Sequence, residues 1–485
     1  MPENRAHLSR GDVTHMVAAI LLGVAAAMAA CAVVGLVLRD GSFLSLLISA
    51  TITAVCGGVA RGATHIPEDV NYREGFATVT FAWVAVGVFG ALPYLISGVI
   101  ESPAAALFES VSGFTTTGAT VLSDVESIAP GILFWRSMTQ WLGGMGIIVL
   151  GVAILPYLSV AGMQLFRAEM PGPAPDRLRP RIRETAKLLW MVYAGLTLLL
   201  VLLYLLGGMS LMDAVNHALT CLPTGGFSTR NGSLGAFSPF IQWVTIVFMF
   251  LAGINFTLHY RALTRGLAPY RRDAEWRLYA ALMLGASVLV FILTYSRDSG
   301  LEETLRDAVF QVVALMTTTG YANTDYELWT PAAQMTLFLL FFVGGMAGST
   351  AGGPKVMRVM VVLKHVWVEI RKHVHPRAVI VTKIGGTSVS EPLLLNVIAF
   401  MILYVGLFGL GALSLSAAGL SFETAVAAAG TAISNVGPGL ADVGPFDNFG
   451  FLPWYAKFAM IALMLLGRLE IYTVLVIFHP RLWRR

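Results

Sequence analysis

Ten stretches of the chain are long and apolar enough to cross a lipid bilayer. They lie near 14–38, 42–60, 76–100, 132–163, 183–207, 239–263, 276–296, 333–362, 390–416 and 453–478, and a crossing helix needs about 20 such residues. A soluble core of this size has no room for that much apolar surface. The composition agrees: 56% of the 485 residues are hydrophobic and 12% are charged, against about a quarter charged in soluble domains. Lipid is the solvent such a surface requires. The polar start, Met1 to His15, leads into an apolar run without a small-residue cleavage site, so the first stretch reads as a retained helix and not a cleaved signal. Cys31, Cys56 and Cys221 sit in apolar surroundings at no metal-ligand spacing and read as packing residues.

Between the long stretches lie four shorter apolar ones, near 103–114, 211–222, 304–316 and 421–433. They are too short to cross and have the length of re-entrant segments. Each starts with helix-start chemistry. Ser102 precedes Pro103, Ser210 precedes Asp213, Glu303 precedes Asp307 and Ser421 precedes Glu423, residues that cap or complement free N-terminal amides. Most of the 32 Lys and Arg fall in Arg5–Arg10, Arg61–Arg73, Arg167–Lys187, Arg261–Arg277, Lys355–Lys383 and Arg481–Arg485. That asymmetry places these segments and both termini in the cytoplasm, and the four short helices on the outer side.

A repeat follows. Long helix, short helix, polar turn, long helix recurs over 76–163, 183–263, 276–362 and 390–478, with the first two helices outside it. The turns align as Thr115-Thr116-Thr117-Gly118, Pro223-Thr224-Gly225-Gly226, Thr317-Thr318-Thr319-Gly320 and Ser434-Asn435-Val436-Gly437. Small residues also let helices pack closely in membranes, which accounts for one such turn more easily than for four in register. Bare backbone inside a membrane is tolerated where it lines water or protein. Four turns on one axis would offer rings of carbonyl oxygens in place of the hydration shell of a potassium ion. The short helices would aim the negative ends of their dipoles at that ion.

These turns, extended to Ser112-Gly113-Phe114 before the first, Phe227-Ser228-Thr229 after the second, Met316 and Tyr321 around the third and Pro438-Gly439 after the fourth, resemble the Trk/Ktr/HKT superfamily of potassium transporters. The extra helical pair at the start is similar to the bacterial TrkH-like branch. The resemblance implies an all-α polytopic membrane protein of ten transmembrane helices plus four re-entrant pore helices, in pseudo-fourfold arrangement. It divides the chain into an N-terminal pair (1–62) and four repeats (63–168, 169–268, 269–375 with a gating loop, 376–485). It implies potassium as the substrate, with no resident cofactor. It places the potassium filter at Thr116, Thr117, Gly118, Thr224, Gly225, Gly226, Thr318, Thr319, Gly320, Asn435, Val436 and Gly437. In this family glycine in all four repeats goes with potassium, and serine in the first goes with sodium. It further implies a homodimer in the bacterial inner membrane and a cytosolic ring of nucleotide-binding (RCK-type) regulatory subunits. Nothing in the chain calls for a nucleic-acid partner.

The segment Gly344-Gly345-Met346-Ala347-Gly348-Ser349-Thr350-Ala351-Gly352-Gly353-Pro354-Lys355 breaks the last helix of the third repeat. Two readings stay open, a gate under the filter and a packing kink. The resemblance favours a gate built from Gly344, Gly345, Gly348, Ser349, Thr350, Gly352, Gly353 and Lys355, with Ala351 standing where glycine is expected. A phosphate-binding loop is excluded by Pro354 and the lack of a preceding strand. Arg468, deep in an apolar helix, needs a role. It is read either as an electrostatic barrier in the pore, as the resemblance implies, or as a strut paired with a carboxylate, for which Glu470 points the wrong way.

Trp135, Arg136 and Trp141 read as interfacial anchors and His217 as a packed histidine. Asn231-Gly232-Ser233 spells a sequon that matters only in a cell that glycosylates. Asp124, Glu126, Asp325, Glu327, Asp442 and Asp447 either concentrate cations at an outer mouth or form a solvated loop. A potassium pore is thus expected. The alternative is a coupled transporter moving sodium or protons with potassium, which would want ionisable residues at mid-membrane. A membrane enzyme lacks a nucleophile–base set here.

Overall fold

The computed structural model describes residues 9–65, 72–153, 178–296, 300–378 and 380–483. The end of the 132–163 stretch, the expected boundary at 168, most of Arg167–Lys187, and Arg5, Arg484 and Arg485 lie outside these residues.

Two long helices, α1 (Arg10–Leu38) and α2 (Phe43–Gly62), form a hairpin. Ser9 caps α1, its Oγ accepting from Asp12 N at 3.3 Å. Arg39 ends the helix in the left-handed region. In the turn, the Asp40 carboxylate accepts from Ser42 N at 2.9 Å and from Gly131 N at 2.5 Å. One carboxylate therefore pins the hairpin to the start of the first repeat's inner helix. Α1 packs against α2, and also against the first repeat's two long helices.

The repeats begin with α3 (Tyr72–Gly90), which a short α4 (Leu92–Ile96) extends. The first pore helix α5 (Pro103–Phe114) and inner helix α6 (Pro130–Ala153) follow. The second repeat holds α7 (Leu178–Leu206), pore helix α8 (Leu211–Cys221) and the pair α9 (Pro239–Ala252) and α10 (Phe256–Arg265), with a short α11 (Ala268–Arg272) after it. The third holds α12 (Ala274–Thr294), pore helix α13 (Leu301–Met316), α14 (Pro331–Leu340) and α15 (Val356–Val374). The fourth holds α16 (Glu391–Ala417), pore helix α17 (Phe422–Ser434), and α18 (Trp454–Arg468) with α19 (Tyr472–Leu475). A short α20 (Pro480–Trp483) ends the described chain.

Among the described residues, six helices are long and apolar enough to cross a membrane. Two of the expected straight spans are bent pairs instead: α9 and α10 meet at 99°, and α18 meets the segment after it at 110°. The breaks fall at Gly253–Asn255 and Leu469–Ile471, where Asn255 and Glu470 interrupt otherwise apolar stretches. Glu470 and Ile471 there take positive φ, 63° and 37°. A further departure from an all-α chain is a small hairpin between α15 and α16. It pairs Lys383 with Ser388 and Ile384 with Thr387, and Gly385 and Gly386 supply the positive φ that such a turn requires.

The four pore helices have 12, 11, 16 and 13 residues. The longest reaches about 24 Å at 1.5 Å per residue, short of the ~30 Å hydrocarbon layer. Ser210 and Ser421 cap the second and fourth by accepting from Asp213 N at 3.1 Å and Thr424 N at 3.2 Å. Three of the pore helices pack on the preceding repeat as well as on their own. Helix α8 packs on α6, α13 on α9, and α5 on α18 of the fourth repeat. The last of these contacts closes the series into a ring.

Within that ring, Arg136 and Trp135 are not interfacial anchors. Trp135 has 0% exposure and donates Nε1–H to Gly90 O at 3.1 Å. Arg136 has 3% exposure and Glu109 has 0%. Arg136 Nε meets Glu109 Oε1 at 2.7 Å, its Nη1 donates to Ser228 O at 3.0 Å, and its guanidinium stacks 3.5 Å above the Phe227 ring. The other carboxylate oxygen of Glu109 accepts from Val121 N at 2.9 Å. The pair thus ties the first pore helix to the outer returns of the first two turns. Trp141 is half-buried, stacked on Tyr193 and bonded to Thr197. The sequence misses this because an arginine near a helix end looks the same whether or not a carboxylate waits for it.

Removing one partner of a buried ion pair strands the other, at a cost of about 3–5 kcal/mol. Arg136→Met is therefore expected to lower the thermal unfolding midpoint of the purified protein markedly, and Arg136→Met with Glu109→Gln to recover part of the loss. Equal midpoints for wild type and Arg136→Met in a thermal-shift measurement would show that the pair is dispensable.

Candidate ion-conducting site

Each pore helix runs into its aligned turn, and the backbone repeats there. The second and fourth positions take positive φ in every turn: Thr116 51° and Gly118 85°, Thr224 56° and Gly226 75°, Thr318 58° and Gly320 74°, Asn435 55° and Gly437 101°. A non-glycine residue in this region costs about 1–3 kcal/mol. Three threonines and an asparagine bear that cost, which marks the conformation as imposed by the surroundings. Amides fold back onto the helix ends. Thr117 N donates to Ser112 O at 2.9 Å, Gly225 N to Thr220 O at 2.9 Å, Thr319 N to Ala314 O at 2.8 Å and Val436 N to Thr431 O at 3.0 Å. With the N–H groups turned toward the helices, the carbonyls face away from them.

Where they face is fixed by the glycines. A Cβ on Gly118 would strike the carbonyl oxygen of Gly225, one on Gly226 that of Thr319, and one on Gly320 that of Val436; on Gly437 it would meet that of Thr117 at 2.7 Å. Four third-position carbonyls thus lie against four neighbouring glycines, first repeat to second, second to third, third to fourth and fourth to first. Only turns arranged around one axis satisfy all four contacts. The twelve residues expected at the turns are all brought together, and the four second-position residues are fully buried.

Side chains brace the ring from behind. Thr115 and Thr117 hydroxyls pair at 2.8 Å, as do those of Thr317 and Thr319. Asn435 Nδ2 donates to Thr117 Oγ1 at 3.0 Å and to Met464 O at 2.9 Å. Gln140, on α6, spans the second turn: its Nε2 donates to Gly225 O at 2.7 Å and its Oε1 accepts from Phe227 N at 3.2 Å. Tyr321 donates its hydroxyl to His217 O at 3.0 Å. His217 is packed, with ring nitrogens 2.8 Å from Asp213 O and 3.0 Å from Ser228 Oγ. Sequence reading missed Gln140 and Tyr321 as braces; a buried glutamine in an apolar helix is the one signal that was available.

Outside the ring, loops carry the acids. Asn231 bridges Asp124 and Val125 N, at 2.8 Å and 2.9 Å, and its amide holds the Asp124 carboxyl below its usual range. Asp325 caps Glu327 N, Asp442 accepts from Thr424, and Asp447 accepts from Gly444 N. Burial, together with Asp325, Asp447 and Asp442, pushes the Glu327 carboxyl up. These acids shape turns as well as adding negative charge.

Beneath the ring, residues 341–355 leave the helix as a loop. Gly344, Gly348 and Gly353 take positive φ, as does Lys355 at 76°, whose ammonium curls back to Ala351 O. Val356 N donates to Gly345 O at 3.0 Å and closes the loop's neck. The loop is tied to three repeats. Met346 N donates to Gly253 O at 2.9 Å, and Phe256 N donates to Gly348 O at 3.1 Å, so the loop fills the break between α9 and α10. Thr350 Oγ1 donates to Leu222 O at 2.9 Å, and Gly352 N donates to the Thr318 hydroxyl at 2.6 Å. Ser349 turns inward onto Met346 O at 2.6 Å.

Arg468 has 3% exposure and donates Nη1–H to Thr350 O at 2.8 Å. Glu470 pairs with Arg358, whose guanidinium lies 3.9 Å from the Phe400 ring centroid. Arg468 thus meets the loop, and a small cavity lined by Ile147, Gly352, Lys355, Gly467 and Arg468 lies beside it.

A ring of backbone carbonyls at the ends of four short helices has the chemistry to hold a cation. The chain matches the TrkH family, described as cation transport proteins, over residues 45–485. It belongs to that family. A Trk system potassium uptake protein TrkH of Halomonas elongata is 39% identical over 458 residues, spanning 93% of this chain and 95% of its own length. The TrkH of Escherichia coli K12 is 39% identical over 482 residues, spanning 97% and 99%. The crystal structure of the potassium transporter TrkH from Vibrio parahaemolyticus is 35% identical with a TM-score of 0.89, and the match covers 98% of this chain and 99% of that one. As a TrkH-family chain, the protein is a multi-pass membrane transporter.

Gln140→Leu removes the brace behind the second turn while keeping side-chain bulk. The potassium-over-sodium permeability ratio, read from reversal potentials in planar bilayers, is expected to fall several-fold; a wild-type ratio would mean that Gln140 does not hold the turn.

Proposed function

We propose that this chain is a potassium-selective uptake pore in which the four turns form the filter and residues 344–355 form a gate. The observation that carries the reading is the closed cycle of carbonyl against glycine among the four turns. Thr116 to Gly118, Thr224 to Gly226, Thr318 to Gly320 and Asn435 to Gly437 supply the oxygens, and potassium is the transported substrate. Glycine at all four fourth positions is in keeping with potassium. The relatives' names, potassium uptake proteins of the Trk system, support the same substrate.

The membrane potential drives entry, because few ionisable side chains lie near the turns, chiefly Lys355 and Arg468 beside the loop. That favours a pore over a transporter coupled to sodium or protons. The gate consists of Gly344, Gly345, Gly348, Ser349, Thr350, Gly352, Gly353 and Lys355, with Arg468 holding the loop at Thr350 and adding positive charge below the filter. The repeats run over 63–168, 169–268, 269–375 and 376–485, behind an N-terminal pair at 1–62. The chain sits in the bacterial inner membrane with both termini cytoplasmic, pairs as a homodimer, and takes its regulation from a cytosolic nucleotide-binding ring.

Currents through the purified protein in bilayers, with potassium on one side and sodium on the other, test the reading. The reversal potential is expected to track potassium, and flux that stalls without sodium or a proton gradient would favour coupling. Gly118→Ser is expected to bring the reversal potential closer to zero. Arg468→Ala is expected to raise flux several-fold per folded protein; a lower folded yield with unchanged flux per molecule would make Arg468 a strut.

A further inference from the structure

We infer that Glu275 is the positioning residue that clamps the neck of the 344–355 loop, an inference that rests on reading this loop as the gate. Glu275 lies in the first turn of α12, the outer helix of the same repeat, and has 3% exposure. Its Oε1 accepts two backbone amides, from Ala347 N at 2.8 Å and from Met357 N at 3.0 Å. Ala347 lies on the arm that enters the loop. Met357 lies in the first turn of α15, just past the exit, where amides lack helical partners. One carboxylate oxygen therefore joins entrance and exit, beside the Val356 N to Gly345 O bond that closes the neck.

The chemistry suits a clamp. A carboxyl oxygen carries two lone pairs and can accept both amides at once. The carboxylate also sits at the N-terminal ends of two helices, α12 and α15, whose dipoles favour negative charge there. The loop's ties to Gly253 and Asn255–Phe256 run backbone to backbone, so no side-chain change removes them. Those of Thr350 and Arg468 act at the loop's tip. Glu275 alone among these side-chain contacts acts at the base, and withdrawal of the loop from beneath Thr318 must break it or carry it along. It also lies inside the basic Arg261–Arg277 segment, so a displacement of that segment reaches the neck directly.

Hydrogen–deuterium exchange of the full-length protein in detergent or nanodiscs, paired with potassium flux in proteoliposomes, tests the clamp. In Glu275→Ala, exchange at Ala347 and Met357 is expected to rise several-fold to about tenfold, as for loss of a buried hydrogen bond. Flux per folded protein is expected to rise several-fold with an unchanged reversal potential. Glu275→Gln, which keeps an acceptor in place, is expected to stay within a few-fold of wild type in both; a residue that merely packs would not show this graded rescue. If the alanine variant does not fold, Glu275→Asp carries the test, its carboxylate being one methylene too short to hold both amides. Wild-type exchange at the two amides in the alanine or aspartate variant would overturn the clamp and leave the gate reading standing. Fast exchange with wild-type flux would instead overturn the gate reading.

Discussion

The structure depends on the contact between a carbonyl oxygen and a hydrogen-bearing Cα, made four times around an axis. At Gly118, Gly226 and Gly320 a side chain would overlap the next repeat's carbonyl, and at Gly437 it would crowd that of Thr117. A methyl group at any one would push two turns apart, and because the contacts form a cycle the displacement has nowhere to dissipate. The strain at Thr116, Thr224, Thr318 and Asn435 is held by the same closure. The pore helices, the buried Glu109–Arg136 pair and the Gln140 brace exist around this ring, each stiffening one segment of it.

The loop below the ring breaks the fourfold resemblance. It belongs to the third repeat and fills the bend of the second, touches a hydroxyl in its own turn, and takes a hydrogen bond from Arg468 of the fourth. The Gly352 amide donates to the Thr318 hydroxyl, so the loop's tip sits one hydrogen bond from the third turn. The bends at Gly253–Asn255 and Leu469–Ile471 give the loop its room.

Much of this was legible in the amino-acid order. Apolar length separated crossing helices from pore helices, and cap residues such as Ser210 and Ser421 marked where the latter begin. The aligned Gly118, Gly226, Gly320 and Gly437 located the ring, since glycine density inside an apolar chain has few other uses. Pairings across repeats were not legible. Arg136 finds Glu109, Arg358 finds Glu470, and Glu275 finds two amides of a loop far along the chain, and nothing local in these residues names the partner. The broken helices also hid, because one polar residue at each break, Asn255 or Glu470, does not say that the chain changes direction there.

One chain carrying four unequal quarters has a freedom that four identical subunits lack. A symmetric tetramer that evolved a plug would have to admit four copies at once, colliding on the axis. Here the turns stay alike where geometry demands it, and a single quarter diverges to supply the loop beneath them. The second quarter offers it a bent helix and a helix end, and the fourth an arginine. Turns and loop can then diverge separately by mutation, although they meet within one hydrogen bond of each other.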